Sequence, residues 1–201
     1  MSLIDQIFDT LDDWRHLPAY QLERRADIFF SLYLPEILKQ AYGLGIDGLV
    51  PEFPLRLGTL RTDCESNQSV KVDYLAKVRA RDTVIVVELK TDGGSRRDEQ
   101  DWYLQRAQEV GFAALLRGLE QIVAGTRYKY KSKYQYLLRK LEALGLISVD
   151  AQGGITPAAD RYDMQLVYVQ PNRDDGDEDV ICFHEVADVV EQHSDAFSRR
   201  F

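Results

Sequence analysis

Residues 70–90 constrain the fold of this chain more than any other stretch. From Val70 to Val78 the pattern alternates, with Val70, Val72, Tyr74, Ala76 and Val78 on one side and Lys71, Asp73, Leu75 and Lys77 on the other. A period of two is the mark of a strand with two unlike faces. Thr83 to Leu89 is β-branched and apolar up to Glu88, as expected of a strand buried on both faces. Arg79 to Asp82, between them, is polar and turn-like, so the two runs read as a hairpin. A hairpin centred on Ala80 and Arg81 has one register. In it Asp73 lies opposite Glu88, with Cβ atoms about 4.5–5.5 Å apart. Glu88 and Lys90 are two residues apart and so face the same side of their strand.

Two opposed carboxylates at the end of a buried strand repel each other. A fold accommodates them with a cation between them or a proton on one. Hard oxygen donors in an incompletely enclosed site suit Mg2+ or Mn2+, with the Leu89 carbonyl as a third oxygen. Such a cation binds a phosphate oxygen and acidifies a bound water, while Lys90 can orient that water or stabilise charge building on phosphorus. The bare Glu-x-Lys pattern arises roughly 0.7 times by chance in a chain of this length. The weight therefore rests on its context: the hairpin, the register, the apolar run into Glu88 and the helix that follows. The bland reading is a surface strand end with Lys90 paired to Glu88 or Asp73.

The flanking sequence supplies helices and further strands. Leu3, Ile4, Ile7, Phe8, Leu11 and Trp14 recur at helical spacing. A longer helix is expected to open at Pro18 and end near Gly43 and Gly45, with Pro35 as a kink or break near Leu34. Leu55 to Leu60 reads as the first strand of a three-stranded meander with the hairpin. Ser95 and Asp98 form a capping-box pattern, starting a helix that runs to about Ala124 and breaks at Gly111. Another helix spans Tyr130 to Leu144, and a small hairpin turns at Gly153 and Gly154. Met164–Val169 and Val180–His184 are short strands. The expectation is an α/β fold: a mixed central sheet flanked by helices, in a single domain of 201 residues with residues 125–160 as a helical, winged-helix-like insertion.

"KVDYLAKV" followed by "TVIVVELKTDGG" resembles the core of the PD-(D/E)XK nuclease superfamily, which places an Asp on one strand, a (D/E)-x-K on the next and a helix after it. The resemblance implies an αβββαβ restriction-endonuclease-like core and metal-dependent phosphodiester hydrolysis. On it, Asp73 and Glu88 become metal ligands and Lys90 the catalytic lysine. Gln100 resembles a glutamine that some branches place near the site. Glu23, on the first long helix, corresponds to a glutamate that several branches add as a ligand, with Glu36 as second choice. Val72 stands where the family's name has proline. Many proteins of this fold act as homodimers.

The chain carries a net charge of −8, which excludes coating nucleic acid by bulk charge but not through a local basic surface. Arg127, Lys129, Lys131, Lys133, Arg139 and Lys140 fall in fourteen residues without an acid. On a helix Lys129, Lys133, Tyr136 and Lys140 share a face suited to phosphate, with Arg139 beside it. Tyr130, Tyr134, Leu137, Leu141 and Leu144 share another, expected to be core. Residues 130–157 also resemble a winged helix, which gives the alternative: a non-catalytic DNA-binding module, or an inactive nuclease-like fold serving as an interaction module. Two isolated cysteines, three unclustered histidines, no basic apolar leader and no run of about 18 apolar residues point to a cytoplasmic protein without structural zinc or a membrane span. The expected partner is nucleic acid, DNA before RNA.

Overall fold

The computed structural model describes residues 3–14, 22–61, 63, 65–90, 98–173, 177, 179–195 and 197–199, with the side chains of residues 14 and 22–26 outside that set. In chain order the elements are α1 (Leu3–Trp14), α2 (Leu22–Tyr42), β1 (Ile46–Arg56), α3 (Leu57–Leu60), β2 (Ser69–Val78), β3 (Thr83–Leu89), α4 (Asp98–Val110), α5 (Phe112–Ala124), α6 (Lys131–Ala143), β4 (Ile147–Val149), β5 (Ile155–Pro157), β6 (Asp163–Gln170), β7 (Val180–Cys182) and α7 (Phe183–Val190). A 3-10 turn at Tyr128–Tyr130 leads into α6. Pro18 and Ser95, the expected helix starts, lie outside the described residues.

The architecture is α/β, a mixed five-stranded sheet in the order β1-β2-β3-β6-β7 flanked by helices, with a separate β4-β5 hairpin. β1 and β2 pair antiparallel, as do β2 and β3. Asp163 N donates to Asp82 O and Lys90 N to Val169 O, both at 2.8 Å. Those bonds step forward along both strands together, so β6 runs parallel to β3. A parallel neighbour needs a long crossover, which α4, α5, α6 and the hairpin supply. No helix among the described residues is long and apolar enough to cross a membrane.

The chain divides into two compact units. One comprises Met1–Gly45, Leu89–Ser95 and Val169–Phe201, the other Ile46–Glu88 and Arg96–Tyr168. In the first, α2 buries Leu34, Ile37 and Leu38 and runs unbroken through Pro35. Phe8, Phe29 and Phe197 cluster, with ring centroids 5.4–6.4 Å apart. α7 packs against α2 and opens with a capping box in which Cys182 N donates to Glu185 Oε2 at 2.7 Å. The last strand stops at Cys182, short of His184, because this cap already starts the helix.

In the second unit, the expected strand at Leu55–Leu60 is displaced. The chain instead pairs from Ile46 to Arg56, and Leu57–Leu60 turns into the short helix α3. Pro51 and Pro54 obscured this strand in the sequence. Proline is tolerated here because β1 lies at the sheet edge. Phe53 is fully buried and meets Phe112 of α5 at 5.9 Å, and Phe112 meets Tyr162 edge-on at 5.1 Å. The Tyr162 hydroxyl donates to Leu146 O at 2.8 Å, fastening the chain just before β4. Lys77 is buried with its ammonium donating to Val78 O and Arg81 O, which closes the β2–β3 turn. Gly111, at φ +78°, separates α4 from α5 where an L side chain would be strained.

Gly118 of α5 packs directly on α3. A Cβ there would overlap Thr59 Oγ1 and crowd Thr59 Cβ and Arg56 Cβ at 3.2 and 3.3 Å. Gly118→Ala is expected to cost about 1–3 kcal/mol by overpacking, lowering the melting temperature by about 2–12 °C. Thermal unfolding reads this directly, and an unchanged midpoint would mean that Thr59 turns aside freely.

Candidate functional site

The β2–β3 ladder pairs Tyr74 with Val87, Leu75 with Val86, Ala76 with Ile85 and Lys77 with Val84. This is the register expected from the sequence, and continued by one residue it sets Asp73 opposite Glu88. Asp73 is half-buried and Glu88 only 2% exposed. The run Val84–Val87 is at most 1% exposed and carries Glu88 into the interior as part of the same strand.

Gln100, in the first turn of α4, donates through Nε2 to Glu88 Oε1. An amide on a buried carboxylate fixes its rotamer and offsets part of its desolvation. Gln100 therefore lies beside Glu88. Leu89 and Lys90 follow directly along the chain and belong to the other unit, where both are buried. The Lys90 amide is held on Val169 O. The side chain of Glu23 lies outside the described residues. Glu36, the second choice, meets His193 Nε2 through Oε2 at 3.0 Å.

Lys71 extends the site along β2. It turns to β1 and bonds Glu52 Oε2 at 2.6 Å. Glu52 falls between the pairs Pro51–Tyr74 and Phe53–Val72, opposite Asp73, and has φ +54°. A left-handed backbone costs a non-glycine residue roughly 1–2 kcal/mol. The ion pair with Lys71 gives this carboxylate its own counter-charge beside Asp73.

A cavity of about 240 Å³ opens beside Gln100, lined also by Val70, Lys71, Val72, Glu99 and Tyr103. Tyr103 OH donates to Glu99 Oε1 at 2.6 Å, and the Arg61 guanidinium lies 5.2 Å from the Trp102 ring and 5.6 Å from the Tyr103 ring. Sequence reasoning missed Arg61, Trp102 and Tyr103. The available signal was the i, i+3 spacing of Gln100 and Tyr103 on one helix face.

Among the described residues no group of three or more His, Cys, Asp or Glu side chains is placed to hold a metal ion. No protein-family model matches the chain, and no curated protein or solved structure matches it significantly. The site must be read from its own chemistry.

Other chemistries find less support. Cys182 is a buried free thiol that burial pushes up in pKa, disfavouring the thiolate a nucleophile requires. Cys64 lies outside the described residues. Tyr42 is pushed up to about 12 by burial and the nearby Asp179 charge, so it stays a neutral phenol.

The basic side chains of this segment are exposed, and the aromatic stripe beside them departs from expectation. Lys133, Arg139 and Lys140 are exposed on α6, as is Lys129 on the turn before it. The stripe of Tyr130, Tyr134, Leu137, Leu141 and Leu144 is not a buried face: Tyr130 is 46% exposed, Tyr134, Leu137 and Leu144 are half-buried, and Leu141 is buried. α6 turns Leu138 and Leu141 into the core instead. Helical periodicity orders residues around an axis without saying which arc meets a neighbour, so the sequence pattern alone reads the tyrosines as packing residues.

Proposed function

We propose that this chain is a metal-dependent nuclease that hydrolyses phosphodiester bonds of DNA, with RNA as the lesser substrate. The observation that carries the reading is the Gln100 amide held on the buried Glu88 carboxylate at the end of a buried strand, in a ladder whose register continued by one residue sets Asp73 opposite Glu88. Asp73 and Glu88 would hold the ion, with the Leu89 carbonyl as a third oxygen. The donor set fits Mg2+ or Mn2+. Mg2+ commonly binds through one or two carboxylates and keeps several waters for substrate phosphate to replace, so a third carboxylate is not required. When bound, the ion supplies Lewis-acid stabilisation of a phosphoryl oxygen and acidifies the attacking water.

The chain's own residues account for the rest. Gln100 fixes the rotamer of Glu88. Asp73 is the less buried of the pair. Lys90 supplies positive charge for the phosphoryl oxygens as they gain negative charge. Lys71, paired with Glu52, lines the cavity beside Gln100 through which a phosphate would approach.

Thermal stability with and without Mn2+ tests the site. At a concentration about 100 times Kd the ion stabilises by about 2.7 kcal/mol, or about 5–11 °C for a chain of this size. Wild type should show this rise and cut a labelled DNA. Asp73→Ala and Glu88→Gln should show neither. Equal stabilisation of all three proteins would remove the two carboxylates from the site.

The formation of α6, Gly145 and the β4-β5 hairpin as a helix, glycine and hairpin favours a second reading, a non-catalytic duplex-binding module. It requires duplex binding without divalent metal, lost when Lys133 and Lys140 are neutralised.

A further inference from the structure

A cavity of about 640 Å³ lies between β1 and α6, within the range of about 300–1,000 Å³ typical of small-ligand clefts. Its apolar floor comes from Val50, Pro51 and Pro54 of β1 and Ile122 of α5. Tyr130, Tyr134 and Tyr136 line it, and Tyr130 and Tyr136 are 46% and 64% exposed. Cations stand beside the rings: Lys129 Nζ is 4.8 Å from the Tyr130 ring centroid, and Arg139 Cζ is 5.8 Å from that of Tyr136. Lys71, Arg127, Lys133 and Lys140 also line the cavity, and among the described residues the one carboxylate lining it is that of Glu52, which is already paired with Lys71.

We propose that this cavity binds single-stranded nucleic acid, taking an unpaired base among its tyrosines and the adjoining phosphates on Arg127, Lys133 and Lys140. The charge is concentrated here in a chain of net −8, so it is directed at an anion. A phosphate alone would need the cations but not three aromatic rings over an apolar floor. A base joined to phosphates needs both, and stacking on aromatic side chains is how unpaired bases are held without sequence preference. Bases in a duplex are stacked on both faces and cannot enter such a concavity without being extruded.

Lys71 lines both this cavity and the smaller one beside Gln100. A strand seated on the tyrosines therefore has a cationic residue leading toward the Asp73–Glu88 pair. In naming the form of the substrate, the inference rests on the nuclease reading; the binding itself does not.

The test uses the full chain in EDTA, so that binding is read without cleavage, with a short fluorescent oligothymidylate as the probe. Tyr136→Ala and Tyr130→Ala, both at exposed positions, should each raise Kd about five- to a hundredfold without lowering the melting temperature. Lys133→Gln and Lys140→Gln should weaken binding and reduce the salt slope by about 0.7 each. Duplex of equal length should compete at least about tenfold less well than the single strand. Oligodeoxyuridylate and oligouridylate, which share the base and differ in the 2′-hydroxyl, identify the preferred sugar when compared as competitors.

Equal competition by duplex, or tyrosine variants that bind like wild type, would overturn the proposal. Cleavage with Mn2+ is scored separately. Tyrosine-dependent binding without any cleavage would leave the pocket standing and the nuclease reading fallen. Cleavage without single-strand binding would do the reverse.

Discussion

Lys90→Met is expected to keep the Mn2+-dependent rise in melting temperature while cutting phosphodiester cleavage by about 10²–10³-fold. Lys90 is only 5% exposed, so its methylene stem is part of the packing, and methionine preserves most of that volume while removing the ammonium. The magnitude is that of deleting one preorganised group aimed at charge developing in the transition state. Metal binding should survive because the oxygen donors assigned to the ion are on Asp73, Glu88 and the Leu89 carbonyl, and removing a nearby positive charge does not weaken a cation site. The split matters more than the loss. Asp73→Ala and Glu88→Gln should lose metal stabilisation and cleavage together, whereas Lys90→Met should lose only the second. A Lys90→Met protein that cuts as fast as wild type would remove the lysine from the chemistry. One that also loses the Mn2+ response would make Lys90 a structural support of the strand end.

Phe53→Ala should be the most damaging single change in the β-meander and α5, costing about 3–5 kcal/mol. That is about 6–20 °C in melting temperature for a chain of this size. Phe53 is fully buried on an edge strand, and its ring fills the space between β1 and Phe112, itself packed on Tyr162. Truncation removes the contact that seats α5 on the sheet and leaves a cavity whose walls, strand and helix backbone, relax only in part. Phe53→Leu should recover much of the loss, since volume-conserving apolar changes cost less than about 1.5 kcal/mol. Tyr128→Ala, at a side chain 89% exposed, should stay within about 0.5 kcal/mol of wild type. If Phe53→Ala melts with Tyr128→Ala, the aromatic chain does not hold the unit together.

The hairpin was legible because both of its strands advertise their burial. Alternation in Val70–Val78 and the apolar run Val84–Val87 each admit one register around a four-residue turn, and that register alone opposes Asp73 and Glu88. The break at Gly111 and the stop at Gly145 were legible because a left-handed backbone angle selects glycine, as both positions show. β1 was less legible. Two prolines and a left-handed Glu52 interrupt its pattern, and what makes them tolerable is the edge position, a property of the sheet and not of the segment.

The sequence by itself determined the local elements of the site: which residues form the strand pair, which helix follows, and that Gln100 lies in its first turn. These depend on periodicity and chain connectivity, which act over a few residues. Only the tertiary structure decided that Gln100 reaches Glu88, that Lys71 turns to Glu52, and that the tyrosines of α6 line an open cavity beside β1 while Leu138 and Leu141 enter the core. Each of these depends on which face of an element meets a partner far away in the chain. Helical spacing fixes the angles between side chains around the axis, but the direction that becomes buried is set by the neighbour that packs there.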